Sequence, residues 1–271
     1  MNLAFTKMNG AGNDFVMLDN RDGSLALTAA QIERLCDRHR GIGADGLLLV
    51  EPADNGADFR MRYYNADGGE AEMCGNGARC FARYARRVAG FEGEEISFAT
   101  LAGVITARCM GEQVQLDMSA PHSYAPAVPL EIEGTLLLVH FINTGVPHAV
   151  VFVDDLEKID IVRFGSAIRH HAHFSPKGTN VNFVNVRAPG DIAIRTYERG
   201  VENETLACGT GVVACALIHH LESGVAAPVK VLVRGGDTLE VGFAPGKTRG
   251  EFSRVTLTGP ADFVFDGTVT V

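Results

Sequence analysis

Apolar runs of strand length recur along this chain, broken by clusters of glycine and asparagine, and only a few stretches carry a helical repeat. Residues 3–8 read as a strand that ends in the turn cluster Asn9-Gly10-Ala11-Gly12-Asn13-Asp14, and Phe15 to Leu18 is the next apolar run. Thr28 has the side chain of an N-cap for a helix running to about His39, with Ile32, Leu35 and Cys36 on one face. Arg40 to Gly46 reads as a loop, Leu47 to Val50 as a buried strand and Phe59 to Tyr64 as another strand. A second helix follows Cys74, with Cys80, Phe81, Tyr84, Ala85 and Val88 on one side. Arg79, Arg83, Arg86 and Arg87 take much of the rest, and Gly90 closes it. Residues 96–118 predict short strands separated by Gly103 and Gly111, and Ser119 to Pro129 is the most linker-like stretch. The helix after Cys208 is apolar all round from Val212 to Ile218, which predicts deep burial, and Gly224 ends it.

The two cysteine segments are one motif written twice. Glu70-Ala-Glu-Met-Cys74-Gly-Asn-Gly77 and Glu204-Thr-Leu-Ala-Cys208-Gly-Thr-Gly211 align at an offset of 134 residues. At that same offset Asn143 answers Asn9 and Tyr197 answers Tyr63. Val181 to Val184 answers Leu47 to Val50, and the strand at Val150 answers the one at Phe15. Correspondences in order at one spacing mark an internal repeat. The expected fold is α+β: two pseudo-symmetric domains, each a curved, mostly antiparallel sheet or barrel around a central helix. The first domain covers residues 1–119 and the second 120–259, with a C-terminal strand at about 260–271 packing back onto the first. The cleft between the domains is the expected place for a small ligand.

Composition narrows the partners. The chain has 271 residues, 46% hydrophobic and 21% charged, enough to build real cores without disulfide staples. A formal charge of −9 argues against nucleic acid as a partner. No apolar run is long enough to span a membrane, and the N-terminus lacks the apolar core of a signal peptide, so the expected location is the cytoplasm with reduced thiols. The six cysteines contain no C-x-x-C pair, which removes zinc-ribbon and thioredoxin readings. Cys36, Cys80, Cys109 and Cys215 read as small buried hydrophobes.

Cys74 and Cys208 are different, because each precedes a helix. The first turn of a helix presents unpaired N–H groups and the positive end of the dipole, which favours a thiolate. Gly75-Asn76-Gly77 and Gly209-Thr210-Gly211 leave backbone N–H groups accessible to an anion such as a carboxylate. Two such thiols on either side of one carboxylate suit inversion of the neighbouring carbon: one thiolate removes the α-proton and a thiol on the opposite face returns another. The lysines are scattered without a supporting motif, so no pyridoxal phosphate or other cofactor and no metal is expected.

Asn65-x-Asp67-Gly68-x5-Cys74-Gly75-Asn76-Gly77-x-Arg79 resembles the signature of the diaminopimelate epimerase family. So do Gly10-Ala-Gly-Asn-Asp-Phe15, Gly145-x-Pro147-His148, Asn180-Val-Asn-Phe183, and Tyr197-Glu-Arg-Gly200 followed by Glu204-Thr-x-Ala-Cys-Gly-Thr-Gly211. The resemblance implies cofactor-independent interconversion of LL- and meso-2,6-diaminopimelate, on the way to lysine and peptidoglycan, by a homodimer with catalytic cysteines Cys74 and Cys208. It implies that Gly75, Asn76, Gly209 and Thr210 hold the reacting carboxylate. Asn13, Asn65, Asn180 and Arg199, with Glu198, bind the substrate, in large part at its distal end. His148 and Glu198 tune the cysteines. Four positions depart from the usual family pattern: Gly69 for serine, Gly46 where some members have glutamine, Val146 for asparagine, and Phe265 where many have tyrosine at a dimer contact. The rival readings are a proline or hydroxyproline racemase or epimerase on the same fold, and a redox-responsive binding protein. Asn65, Asn180 and Arg199 favour a longer, doubly charged substrate over proline, and the duplicated glycine nests favour catalysis over redox sensing.

Overall fold

The computed structural model describes residues 2–54 and 56–271. They divide into two compact units, Met1–Asp117 with Gly259–Val271, and Met118–Thr258. Unit 1 runs β1 (Asn2–Gly10), β2 (Asn13–Asp19), α1 (Ala29–Cys36), β3 (Gly46–Glu51), β4 (Phe59–Asn65), β5 (Glu70–Ala71), α2 (Gly75–Ala89), β6 (Glu95–Thr100), β7 (Gly103–Met110) and β8 (Gln113–Asp117). Unit 2 runs β9 (His122–Ile132), β10 (Thr135–Asn143), β11 (Pro147–Phe152), α3 (Ile161–Arg169), β12 (Asn180–Ala188), β13 (Asp191–Glu198), β14 (Asn203–Thr205), α4 (Gly209–Ser223), β15 (Val229–Leu232), β16 (Thr238–Pro245) and β17 (Phe252–Pro260), the last leading into β18 (Asp262–Thr270) of unit 1.

Strand pairing repeats from unit to unit. In the first, β1–β2, β3–β4, β6–β7 and β7–β8 are antiparallel, whereas β2–β3 and β4–β6 are parallel. In the second, β10–β11, β12–β13, β15–β16 and β16–β17 are antiparallel, and β11–β12 and β13–β15 are parallel. β18 pairs antiparallel with β1 as β9 pairs with β10, so the C-terminal strand gives unit 1 the outer strand that its own N-terminal half lacks. Each sheet curls around one helix without closing into a barrel: α2 touches β1, β2, β3, β4, β7 and β8, and α4 touches β10, β11, β12, β13, β15 and β16.

The two central helices differ in what they bury. α2 is amphipathic, and Phe81, fully buried, packs at a tilt against Phe98 of β6 with ring centroids 4.7 Å apart. Full burial of such a ring is worth roughly 1.5–3 kcal/mol. α4 is buried on every side from Gly211 to His219, as an all-apolar helix requires. Both end at a glycine in the left-handed region, Gly90 at φ 62° and Gly224 at φ 72°, where their N–H groups close back on Arg86 and His220.

Four expectations change. The helix capped by Thr28 has the capping box with Gln31 but stops at Cys36, because Asp37 leaves helical geometry. The linker-like Ser119 to Pro129 stretch is largely β9, an outer strand whose pairing with β10 is irregular, which is where a sheet accommodates Pro126 and Pro129. Arg79 lies among the fully buried side chains instead of on the solvated face of α2. Tyr197 answers Tyr64, not Tyr63. Tyr64 pairs with Leu47 and Glu70, and Tyr197 pairs with Val181 and Glu204. The turn before β11 and the connection from β12 to β13 are each one residue shorter than their unit 1 counterparts, and the stretch from β11 to β12 is one longer, so local offsets alternate between 133 and 134.

Candidate active site

Cys74 and Cys208 occupy the same local position in their units. Each is the N-cap of its central helix with extended backbone, φ −135° and ψ 123° for Cys74, φ −122° and ψ 107° for Cys208. Each carbonyl accepts the first helical bond, from Ala78 N at 2.8 Å and from Val212 N at 2.9 Å. Neither cysteine side chain caps its helix. The N–H groups at the first turn of a helix, with its dipole, favour an anion as acceptor. The other four cysteines lie in environments that oppose ionisation: burial pushes Cys36 up to about 11 and Cys80 up to about 12, and raises Cys109 and Cys215 as well.

In unit 1, Asn76 in the first turn of α2 is held from both sides. Arg79 Nη2 donates to Asn76 Oδ1 at 2.8 Å, and Asn76 Nδ2 donates to Asn13 Oδ1 at 2.6 Å. Asn13 Nδ2 in turn donates to Asp45 Oδ2 at 2.9 Å. Arg79 also donates from Nε to the Pro260 carbonyl at 3.1 Å, which ties α2 to the chain entering β18. Behind Asn13, Asp14 accepts from Arg38 and pairs with the buried Lys7 at 2.8 Å, and these cations hold its carboxyl well below the usual range against the cost of burial. Asn65 ends β4 opposite Gly46, and its side chain is exposed. A side chain at Gly46 would meet the Tyr64 carbonyl at 2.6 Å and the Tyr63 ring at 2.7 Å, so close strand approach requires glycine there.

In unit 2, three adjacent strands deliver His148, Asn182 and Thr196 to the start of α4. Thr196 Oγ1 donates to Asn182 Oδ1 at 3.0 Å, and Asn182 Nδ2 reaches His148 Nδ1 at 3.1 Å and the Ala149 carbonyl at 3.0 Å. His148 Nε2 lies 3.0 Å from Thr210 Oγ1, which lies 3.5 Å from Cys208 Sγ. Thr144 Oγ1 donates to the Thr210 carbonyl at 2.9 Å and fixes the helix start. Burial, with the nearby Arg199 charge, lowers the His148 pKa to about 3, so the ring is neutral at physiological pH. Glu198 ends β13, and burial raises its pKa, with the nearby Thr205 hydroxyl opposing the rise. The Asn180 amide donates to the Pro147 carbonyl at 3.1 Å and accepts from the Arg199 backbone N–H at 2.8 Å, clamping the loop that carries Arg199.

The structure thus joins Asn13 with Asn76, and Cys208 with Thr210 and His148. Asp45, Asn182, Thr196 and the buried state of Arg79 were not singled out from sequence. Asn182 carried a signal, since it is a second asparagine two residues after Asn180 in an otherwise apolar strand. Thr196 and Asp45 carried none, because their partners lie on other strands.

The diaminopimelate epimerase family model matches residues 5–123 and 140–263. A diaminopimelate epimerase of Aquifex aeolicus is 44% identical over 277 residues, covering 98% of this chain and 97% of that protein. One of Chlorobaculum tepidum is 42% identical over 268 residues, covering 97% and 100%. Among solved structures, a PhzF-family phenazine biosynthesis protein of Bacillus anthracis has a TM-score of 0.74 at 16% identity, with both chains fully covered. A probable proline racemase of Agrobacterium radiobacter has 0.71 at 18%, covering 99% of this chain and 92% of that one. At such identities the likeness is one of fold alone. Full-length relatives above 40% identity and a family model spanning most of the sequence establish that the chain belongs to the diaminopimelate epimerase family.

Proposed function

We propose that this protein epimerises LL-2,6-diaminopimelate to meso-2,6-diaminopimelate by two-thiol acid/base catalysis, with Cys74 and Cys208 serving the same α-carbon. The observation that carries the mechanism is the repeated thiol at a helix N-cap, with the Gly75-Asn76-Gly77 and Gly209-Thr210-Gly211 turns behind it. One thiolate accepts the α-proton, and the other thiol donates a proton to the opposite face of the planar intermediate. The dipoles and N–H groups of the two helix starts stabilise the substrate carboxylate as negative charge spreads onto it. His148 and Glu198 tune the thiols. Asn13, Asn65, Asn180 and Arg199 recognise the substrate, the guanidinium pairing with its distal carboxylate. The reaction moves one proton off and one on, so its balance needs no redox or group-transfer cofactor. The working form we propose is a cytoplasmic homodimer in the route to lysine.

Incubation with LL-diaminopimelate in heavy water is expected to place solvent deuterium at one α-carbon of the meso product. Proline serves as the control: exchange with proline and not with diaminopimelate overturns the substrate assignment. Cys74→Ala and Cys208→Ala are each expected to lower kcat by about 10²–10⁴-fold, the usual weight of a positioned acid or base. Full epimerisation by either variant overturns the two-thiol mechanism.

A further inference from the structure

The repeat provides an internal control on the polar chain behind Cys208. Strand register makes Phe15, Leu48 and Tyr63 of unit 1 the counterparts of His148, Asn182 and Thr196. Phe15 pairs with Gly46 as His148 pairs with Asn180, and Leu48 pairs with Tyr63 as Asn182 pairs with Thr196. The glycine at the second turn position confirms the match. A Cβ at Gly77 would meet Leu48 and Phe15, and one at Gly211 would meet Asn182 and His148. The fold is therefore served by two apolar side chains and a tyrosine ring at these places, with Phe15 and Tyr63 in edge contact at 6.2 Å. Unit 2 replaces all three with polar groups that are at most 2% exposed, an arrangement that costs free energy unless every polar atom is matched.

They are matched, and in one direction only. The Ala149 carbonyl only accepts, so the Asn182 group facing it is the NH₂, and Oδ1 takes the Thr196 hydroxyl proton. The second Asn182 N–H then donates to His148 Nδ1, which leaves the ring proton on Nε2. Nε2–H donates to Thr210 Oγ1, and the threonine proton is left for Cys208 Sγ. We infer that Asn182 and Thr196 are positioning residues that lock His148 in its neutral Nε2–H form, so that the Thr210 hydroxyl is a dedicated donor to the Cys208 thiolate. In unit 1 Phe15 and Leu48 stand in the places of His148 and Asn182 and cannot form such a chain, and the Asn76 amide there is held by Arg79 and Asn13. The two thiols consequently have unlike surroundings: Cys208 leans on a neutral relay, whereas the Cys74 helix start sits beside a buried guanidinium. Among the charged and titratable groups near the relay, Arg199 acts on His148 and Cys215 lies close to Cys208.

This inference rests on the thiol assignment above, and its test uses no turnover, so the two fail separately. Nitrogen-15 spectra of the histidine-labelled native protein at neutral pH are expected to show His148 protonated at Nε2 and bare at Nδ1. A proton at Nδ1 overturns the inference. Asn182→Leu copies the unit 1 residue, and the pH midpoint for iodoacetamide alkylation of Cys208, followed by peptide mass spectrometry, is expected to rise by about one unit. That is the size of one lost hydrogen bond to a charged acceptor. The Cys74 midpoint stays in place, and Thr196→Val shifts Cys208 in the same direction by less. Thr210→Ser, which keeps the hydroxyl, retains the native midpoint. An unmoved Cys208 midpoint in either relay variant, with native circular dichroism, overturns the proposal.

Discussion

Arg79 shows how far one side chain departs from what its letter implies. An arginine among four on a helix reads as solvated, yet its guanidinium is buried and donates to Pro260, Asn76 and Gly75. Removing it strands buried acceptors at Pro260 and Asn76, which costs about 1–3 kcal/mol. Arg79→Met is accordingly expected to lower stability by about that much in urea titration and to free the Asn76 amide, raising KM under the carboxylate-binding role proposed for Asn76. His148 makes a different prediction. Its folded pKa, about 3, lies below the 6.5 of an unfolded histidine, so the unfolded chain binds the extra proton between those values. Its contribution is full above about pH 6.5 and is lost as pH falls towards 3. A His148→Gln variant is expected to show a flatter fall in its urea midpoint over that window than the native protein.

The starts of α2 and α4 fit their surroundings to different tolerances. A Cβ at Gly211 would lie 2.5 Å from Asn182 Oδ1, whereas one at Gly77 would lie 3.3 Å from Leu48 and 3.4 Å from Phe15. Gly211→Ala is therefore expected to destabilise by about 1–3 kcal/mol through overpacking, and Gly77→Ala by less, read from thermal unfolding of the two variants side by side. An amide locked by three hydrogen bonds yields less than an aliphatic tip, which is why the glycine facing the polar relay is the stricter requirement. The starts of α1, α2 and α4 and the terminating glycines of α2 and α4 were legible from sequence because they depend on local spacing alone, whereas α3 was not read there. The β9 strand was not, since proline and serine in a row look like a linker until pairing with β10 supplies the missing hydrogen bonds.

For the whole chain, the C-terminal strand has the largest consequence for its size. β18 fills in unit 1 the place that β9 fills in unit 2, and Arg79 anchors the chain just before it. Deleting residues 262–271 is expected to expose the edge of β1 and part of the core around Phe5 and Leu3, with unfolding of unit 1 at lower denaturant than unit 2, resolved by hydrogen exchange. Acid acts on both units in one direction: Asp14, its carboxyl held low by Lys7 and Arg38, stabilises above the ordinary carboxylate range and loses that contribution as pH falls further.

The sequence alone determined the repeat, the two helix-cap thiols and the family, because each is carried by residue types at fixed spacing along one stretch of chain. It also marked the outer cysteines as core residues, since they fall inside helical or strand patterns. Only the tertiary structure decided which partners those stretches meet. A β12–β13 connection one residue shorter than the β3–β4 connection puts Thr196 in the place of Tyr63, and strand register brings Asn182 between His148 and Thr196. Packing buries Arg79 against Pro260, more than a hundred residues away in sequence. Periodicity reports which face a side chain is on. Register between distant strands reports what it touches, and the difference between the surroundings of Cys74 and Cys208 is written in that register.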